Sequence, residues 1–137
     1  MEKVKKYIND NKSAFLIRQN VNEKDKDNAE KILSLKFDSS YSDYLLSFGC
    51  INYASMETIG LGIDESSYFN VIKATTEVRN YNETFPKDAV VFEDIGENNY
   101  VIYIMDKGVF HWATKKNKII KKSLAEYLLM RFNEENI

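Results

Sequence analysis

The sequence predicts an α+β fold, one domain over residues 1–137 in which helices pack against a mixed or antiparallel sheet. Three observations predict it. Helical and strand patterning both occur, in the order helices, strands, helix, three strands, helix. The strand-like stretches 100–105 and 109–113 are separated only by Asp106-Lys107-Gly108, which makes them a hairpin and therefore antiparallel. Finally, one Pro and five Gly in 137 residues leave no linker to divide the chain, and no repeat is visible.

The elements follow in order. Val4, Tyr7 and Ile8 give a weakly amphipathic helix, and Phe15 and Ile17 belong to an apolar stretch after it. Residues 20–28 are polar and densely charged and read as an exposed loop. Beyond them Ala29, Ile32, Leu33 and Phe37 recur at helical spacing. A clearer helix opens with Ser40 and Asp43 in capping-box positions. On it Tyr41, Leu45 and Phe48 share a face, and Gly49 supplies a left-handed stop. Residues 54–63 alternate around Gly60 and Gly62 and read as strand. Asn70 is the N-cap of a helix on which Val71, Thr75, Val78, Asn82 and Phe85 share a face, closed by Pro86. Residues 89–92 are a continuous apolar run, the mark of a central strand. Ser123 and Glu126 repeat the capping-box spacing, and Leu124, Leu128 and Phe132 face one way on the last helix.

Composition excludes several classes. An apolar share of 44% and an aromatic share of 13% are too high for a disordered chain. A chain of this size buries roughly two-thirds of its extended surface, enough for a core without staples. Nineteen basic against 21 acidic residues lack the basic excess that phosphate neutralisation demands, so no direct nucleic-acid binding is expected. The single cysteine, Cys50, forbids an intrachain disulfide, and nothing favours an oxidising compartment. The charged opening Met1-Glu2-Lys3-Val4-Lys5-Lys6 is not followed by an apolar signal stretch. The longest apolar runs, such as 101–105, are too short to cross a bilayer. The expectation is a cytoplasmic protein with no membrane partner.

Catalytic constellations are scarce. His111 is the only histidine, and strand alternation sets it opposite Phe110 and Trp112, as a polar residue on the more solvated face rather than a catalytic base. One Cys and one His cannot close a structural zinc site. Cys50 reads as a small buried residue after a helix stop, not as a thiol nucleophile. Gly60-Leu61-Gly62 lacks the third glycine of a dinucleotide fingerprint and the Gly-Lys-Ser/Thr of a P-loop, so it reads as a kink where backbones approach closely. Asp64, Glu65, Glu93, Asp94, Glu97 and Asp106 lie near predicted strand ends, without a spacing that marks a metal or acid/base pair. No catalytic residue, cofactor or metal is expected, and the carboxylates read as a solvated rim or a partner-facing patch.

Charge is unevenly distributed. Between Glu57 and Asp106 there are ten acids against three bases, Lys73, Arg79 and Lys87. Between Lys107 and Lys122 there are six lysines, at 107, 115, 116, 118, 121 and 122, and no acid. Segregated in space, the acids would steer a basic partner; interleaved, the two segments would cancel. Sequence alone does not place the faces.

Taken in order, the segments Asn28 to Gly49, Ile59 to Gly62, Asn70 to Thr76, Val90 to Gly96, Phe110 to Trp112 and Ser123 to Leu128 resemble the SUKH superfamily, the Smi/Knr-type domains. Residues 28–49 resemble its opening signature, an Ala-Glu-bearing helix, then Leu-Pro-x-x-Tyr, then a second helix ending in Gly. Here Phe37 stands at the Leu, Asp38 replaces the Pro, Tyr41 and Leu45 match, and Tyr44 stands where Phe is common. Ile59-Gly60-Leu61-Gly62 resembles the family's first-strand segment, and Asn70-Val71-Ile72 with Thr75 and Thr76 its central helix. Val90-Val91-Phe92-Glu93-Asp94-Ile95-Gly96 resembles a Val-Ile-Glu-Asp-Leu-Gly strand. Phe110-His111-Trp112 resembles the later strand that ends in Trp, and Ser123-Leu124-Ala125-Glu126-Tyr127-Leu128 the closing helix. The resemblance spans about 28–132, and the layout is similar to the short YobK-type members of Bacillus.

The resemblance implies an α+β domain and, for bacterial stand-alone members, an immunity protein. Such a protein binds and neutralises the toxin domain, often a nuclease, of a polymorphic secreted toxin, and carries no catalytic residues. The expected partner is a cognate toxin domain, met by a monomer or weak homodimer. Asp64, Glu65, Glu93, Asp94 and Glu97 are the expected partner-facing residues, because an acidic surface can occupy the basic site with which a nuclease holds nucleic acid. The alternative is a non-catalytic regulatory or scaffold domain of the Smi/Knr type, and a third possibility is a small hydrolase or carboxylate-metal enzyme.

Overall fold

The computed structural model describes residues 1–18, 20–113 and 116–135. The chain runs α1 (Glu2–Asp10), a 3-10 turn (Lys12–Ala14), β1 (Phe15–Ile17), α2 (Glu23–Leu33), α3 (Ser39–Phe48), β2 (Ile51–Tyr53) and β3 (Met56–Glu57). Then follow α4 (Val71–Tyr81), β4 (Ala89–Gly96), β5 (Asn99–Ile104), β6 (Gly108–Ala113), β7 (Lys116–Lys121) and α5 (Leu124–Glu135). β1, β2 and β3 form a small sheet in that order, and β4 to β7 form a four-stranded meander. Every pairing in both sheets is antiparallel. This is the α+β architecture that the hairpin patterning predicts.

The core is largely aromatic. Tyr41, Tyr44 and Leu45 of α3, Phe92 of β4, and Leu124, Leu128 and Phe132 of α5 are fully buried. Phe132 gathers three rings, Tyr7 of α1 at 5.3 Å, Phe15 of β1 at 4.9 Å and Tyr53 of β2 at 5.4 Å between centroids. The last helix thereby clamps α1 and the small sheet, each ring pair adding about 0.5–1.5 kcal/mol beyond its buried area. The Tyr44 hydroxyl meets Thr58 Oγ1 at 2.7 Å and donates to the Ile59 carbonyl at 2.9 Å, so this polar tip is satisfied inside the core.

Several local expectations give way to better chemistry. Most of the segment read as a charged loop is helix. Asn22 Oδ1 accepts from Asp25 N at 2.9 Å while Asp25 accepts from Asn22 N at 3.0 Å, a reciprocal capping box. The acids Glu23 and Asp25 then stabilise the positive end of the helix dipole. α3 is capped by Asp38, not Ser40. Asp38 Oδ1 accepts from Tyr41 N at 2.8 Å, and Oδ2 accepts from the Tyr103 hydroxyl at 2.6 Å and Asp106 N at 2.8 Å. One carboxylate thus starts a helix and ties it to the β5–β6 hairpin. Gly49 has φ 70° and ψ −74°, outside the left-handed helical region. α4 ends at Tyr81, short of Phe85 and Pro86.

The stretch 54–63 forms little regular strand. Only Met56–Glu57 pairs in a sheet, and the next four residues bond two strands and two connecting segments. Thr58 N donates to Ile51 O, Ile59 N to Phe92 O, Gly60 N to Phe69 O and Leu61 N to Gly49 O. The segment stitches the two sheets together. A Cβ on Gly60 would collide with the Gly49 carbonyl oxygen, which is the close backbone approach that the glycine pair suggests. β4 is an edge strand of its sheet rather than a central one. Its first five residues are nonetheless buried, and Ile59 N and Thr75 Oγ1 of α4 cover the open edge at Phe92 O and Val91 N. β7, a lysine-bearing strand on the opposite edge, had no strand signature in its sequence.

Candidate functional site

α4 sets one wall of the site. Asn70 Oδ1 accepts from Ile72 N at 2.9 Å to start the helix, and Asn70 Nδ2 donates to the Ile63 carbonyl at 3.3 Å, which closes the preceding loop. Val71, Ala74, Thr75 and Val78 are buried, and Val91 N donates to Thr75 Oγ1 at 3.1 Å, pinning the helix to β4. The flank of α4 that faces the β4–β5 hairpin bounds a cleft of about 230 Å³. Ile59, Val78 and Val91 form its apolar floor, Glu77 and Asp94 contribute carboxylates, and Tyr68, Tyr81 and Tyr100 are its aromatic walls.

Tyr68 is 71% exposed and Tyr81 is 86% exposed. The Lys73 ammonium lies 5.5 Å above the Tyr68 ring and 3.2 Å from Glu77 Oε1. Tyr100 pairs with Asp94 across the β4–β5 ladder and is braced by Trp112 at 6.2 Å, itself in an edge contact with Phe85 at 5.3 Å. Burial pushes the Tyr100 hydroxyl above the usual tyrosine range, and the charges of Asp94 and Glu77 push it further. Both carboxylates therefore act on the same hydroxyl.

A bulge decides which acids reach this cleft. The β4–β5 register shifts between Val91 and Glu93, so Val91 and Asp94 line the same cleft although they stand three positions apart, which would put them on opposite faces of a regular strand. Glu93 goes the other way and corrects the expectation that it belongs to the exposed rim. It is 4% exposed, with Arg131 Nη1 at 2.6 Å and 2.7 Å from its two oxygens and the Tyr127 hydroxyl donating to Oε2. It anchors α5 to β4. Burial, and then the Glu93 charge, raise the Tyr127 hydroxyl well above its ordinary range.

The other expected residues are exposed. Asp64 Oδ1 accepts from Ser66 N at 2.8 Å and from the Ser66 hydroxyl, which holds the carboxyl below its usual range. Asp64 and Glu65 line a separate polar cleft of about 360 Å³ with Asp25 and Asn28 of α2. Glu65 and Glu77 share a third, which also includes the 55%-exposed Ile32. Glu97 sits at the β4–β5 turn with φ 55°. The acids thus lie along both flanks of α4 rather than at one point. No sequence motif marks Tyr68, Tyr81 or Tyr100 as site residues. Tyr68 follows Asp64-Glu65-Ser66-Ser67 and Tyr81 falls off the apolar face of α4, so a large aromatic ring in a polar setting is the signal that identifies them.

The basic segment lies elsewhere. β7 is the edge opposite β4, three strand spacings or roughly 14 Å away. Lys116 and Lys118 on it are exposed, and Lys107 pairs with Asp88 at 3.6 Å; Lys115 lies outside the described residues. The β7 lysines thus sit on the edge opposite the β4 acids, while Lys107 meets Asp88 of the acidic segment. His111 is half-buried, its Nε2 3.1 Å from Asn99 Oδ1. The Cys50 thiol is buried, donates to the Leu61 carbonyl at 3.3 Å and is pushed up by burial to about 11, the opposite of an activated nucleophile. Among the described residues no group of three or more His, Cys, Asp or Glu is placed to hold a metal ion, and no helix is long and apolar enough to cross a membrane.

Two antiparallel sheets packed with helices, with exposed rings beside carboxylates along α4, define an α+β domain. The family model described as SMI1-KNR4 cell-wall, SUKH_5, matches residues 1–133, and the chain belongs to that family. Domains of this family are in general protein-binding and non-catalytic. No curated protein matches the chain.

Proposed function

We propose that this chain is a cytoplasmic bacterial immunity protein that neutralises the toxin domain of a polymorphic secreted toxin by stoichiometric binding, without catalysis. The observation that carries the reading is the pair of solvent-facing rings, Tyr68 and Tyr81, set beside the carboxylates of Glu77 and Asp94. Tyrosine supplies large contact area at low conformational cost and is enriched at interface hot spots. Flanking acids raise the encounter rate with a basic partner, and a nuclease must be basic where it holds phosphate. The reading includes Asp64, Glu65, Asp94 and Glu97 in the contact surface and leaves Glu93 out as an internal anchor.

The test is co-expression with the toxin domain encoded beside this gene, followed by gel filtration of the mixed purified proteins. Restored growth with a stable stoichiometric complex supports the reading. Protection at strongly substoichiometric amounts, or no complex at all, overturns it. The cell-wall description of the family favours a second reading, a regulatory protein-binding domain using the same surface. In that case a host protein, not a toxin, would elute with the chain.

A further inference from the structure

We infer that the cleft between α4 and the β4–β5 hairpin is a receptor for one arginine side chain of the partner protein. The inference rests on the binding role proposed above and names the chemistry that the surface takes. A cleft of about 230 Å³ has room for one long side chain but not for a secondary-structure element. Its floor is apolar, Ile59, Val78 and Val91, while its charged groups are the carboxylates of Glu77 and Asp94, beside the neutral polar side chains of Asn82, Asn98 and the three tyrosines. An aliphatic stem with a cationic head matches that division. Carboxylates repel phosphate and so disfavour an anionic ligand. Among the described residues no group of three or more His, Cys, Asp or Glu gathers there, so the charge of the cleft is that of two carboxylates only.

An independent feature points the same way. The chain already holds one of its own cations in this fashion, Lys73 lying between the Tyr68 ring and Glu77. On the other flank of Glu77, Tyr81, Tyr100 and Asp94 offer the same combination of ring and carboxylate to a group from outside. Arginine suits it better than lysine. A planar guanidinium stacks on a ring and its five donors reach two carboxylates and a hydroxyl together, whereas an ammonium is a point charge. Trp112 behind Tyr100 and the Thr75–Val91 bond keep both walls fixed, so little ordering remains to be done on binding.

The test is an amide-resolved NMR titration of the full chain with N-acetyl-arginine methylamide, against the citrulline analogue, which keeps the shape and lacks the charge. Saturable shifts confined to the amides around Glu77, Tyr81, Asp94 and Tyr100 are expected. Binding should be at least about tenfold weaker for citrulline, for the double variant Glu77→Gln/Asp94→Asn and for Tyr81→Ala, as loss of charge-assisted and cation–π contacts requires. Lys118→Ala should bind as the parent does. Cleft side chains are substituted at the surface, and the same spectra report that each variant is folded. Unsaturable shifts scattered over the surface, or equal binding of citrulline, overturn the inference. The titration uses no toxin, so its failure leaves the immunity reading standing, and that reading fails separately if no complex forms on gel filtration.

Discussion

Replacing Glu93 with glutamine should destabilise the fold without touching the partner-binding surface. The Glu93 side chain is 5% exposed and faces the Arg131 guanidinium at 2.6 Å. Removing one member of a buried ion pair costs about 3–5 kcal/mol, because the other is left charged and uncompensated. Two features reduce that here. The Arg131 side chain keeps 18% exposure and has Glu134 within 3.9 Å, so part of its charge can be hydrated or paired again. Glutamine also keeps an oxygen for the Tyr127 hydroxyl. The expected cost is therefore about 2–3 kcal/mol. With a urea slope of about 2 kcal/mol/M, the denaturation midpoint should fall by about 1–1.5 M. Arg131→Met in the same background should be less harmful than the sum of the two single changes, by about 1–3 kcal/mol. An unchanged midpoint, or no coupling between the two sites, would refute the buried anchor and return Glu93 to the solvent-facing rim.

Three further outcomes follow from the packing. Leu45→Ala, at a fully buried position on α3, should cost about 2–5 kcal/mol in urea denaturation, while Lys118→Ala on the exposed edge strand should stay within about 0.5 kcal/mol; equal midpoints would mean that the α3 face is misassigned. Asp38→Ala should cost about 1–3 kcal/mol, since it removes the α3 cap and one partner of the Tyr103 hydroxyl, and Asp38→Asn should recover most of the cap. Stability should fall in alkali. Burial holds the Cys50 thiol up to about 11 and Tyr41 and Tyr44 well above their usual range, so above about pH 8.5 the unfolded chain loses protons that the native state keeps. The contribution is fully present below that pH and is lost as pH rises, by ~2–3 kcal/mol for the thiol alone near pH 11; a flat denaturation midpoint from pH 8 to 11 would contradict it.

What the sequence discloses depends on how local the cause is. The faces of α3 and α5 are readable, because Tyr41–Leu45–Phe48 and Leu124–Leu128–Phe132 follow the helical repeat and all six are buried. The hairpin at Asp106-Lys107-Gly108 is readable for the same reason. The α2 start is local too, but Asn22 and Asp25 cap each other inside a run of charges that resembles a loop. β7 escapes notice because an edge strand exposed to water carries lysines where a buried one carries apolar residues. The site is the least legible part. A bulge after Val91 reverses the alternation, sending Glu93 to α5 and Asp94 to the cleft, and no pattern in Val90-Val91-Phe92-Glu93-Asp94 announces it. Tyr68, Glu77 and Tyr100 come from a loop, a helix and a strand, so only the folded chain brings them together.

The most direct measurement is the dissociation constant of the cognate toxin domain for Tyr81→Ala, taken with the urea midpoint of the same variant. Tyr81 is 86% exposed, so its removal should leave the midpoint unchanged within about 0.2 M. Binding through the ring-and-carboxylate surface predicts affinity at least about tenfold weaker, the loss typical of an aromatic hot spot. An unchanged dissociation constant for Tyr81→Ala, with affinity lost instead on Lys118→Glu, would place the partner on the β7 edge and contradict the assignment of the surface.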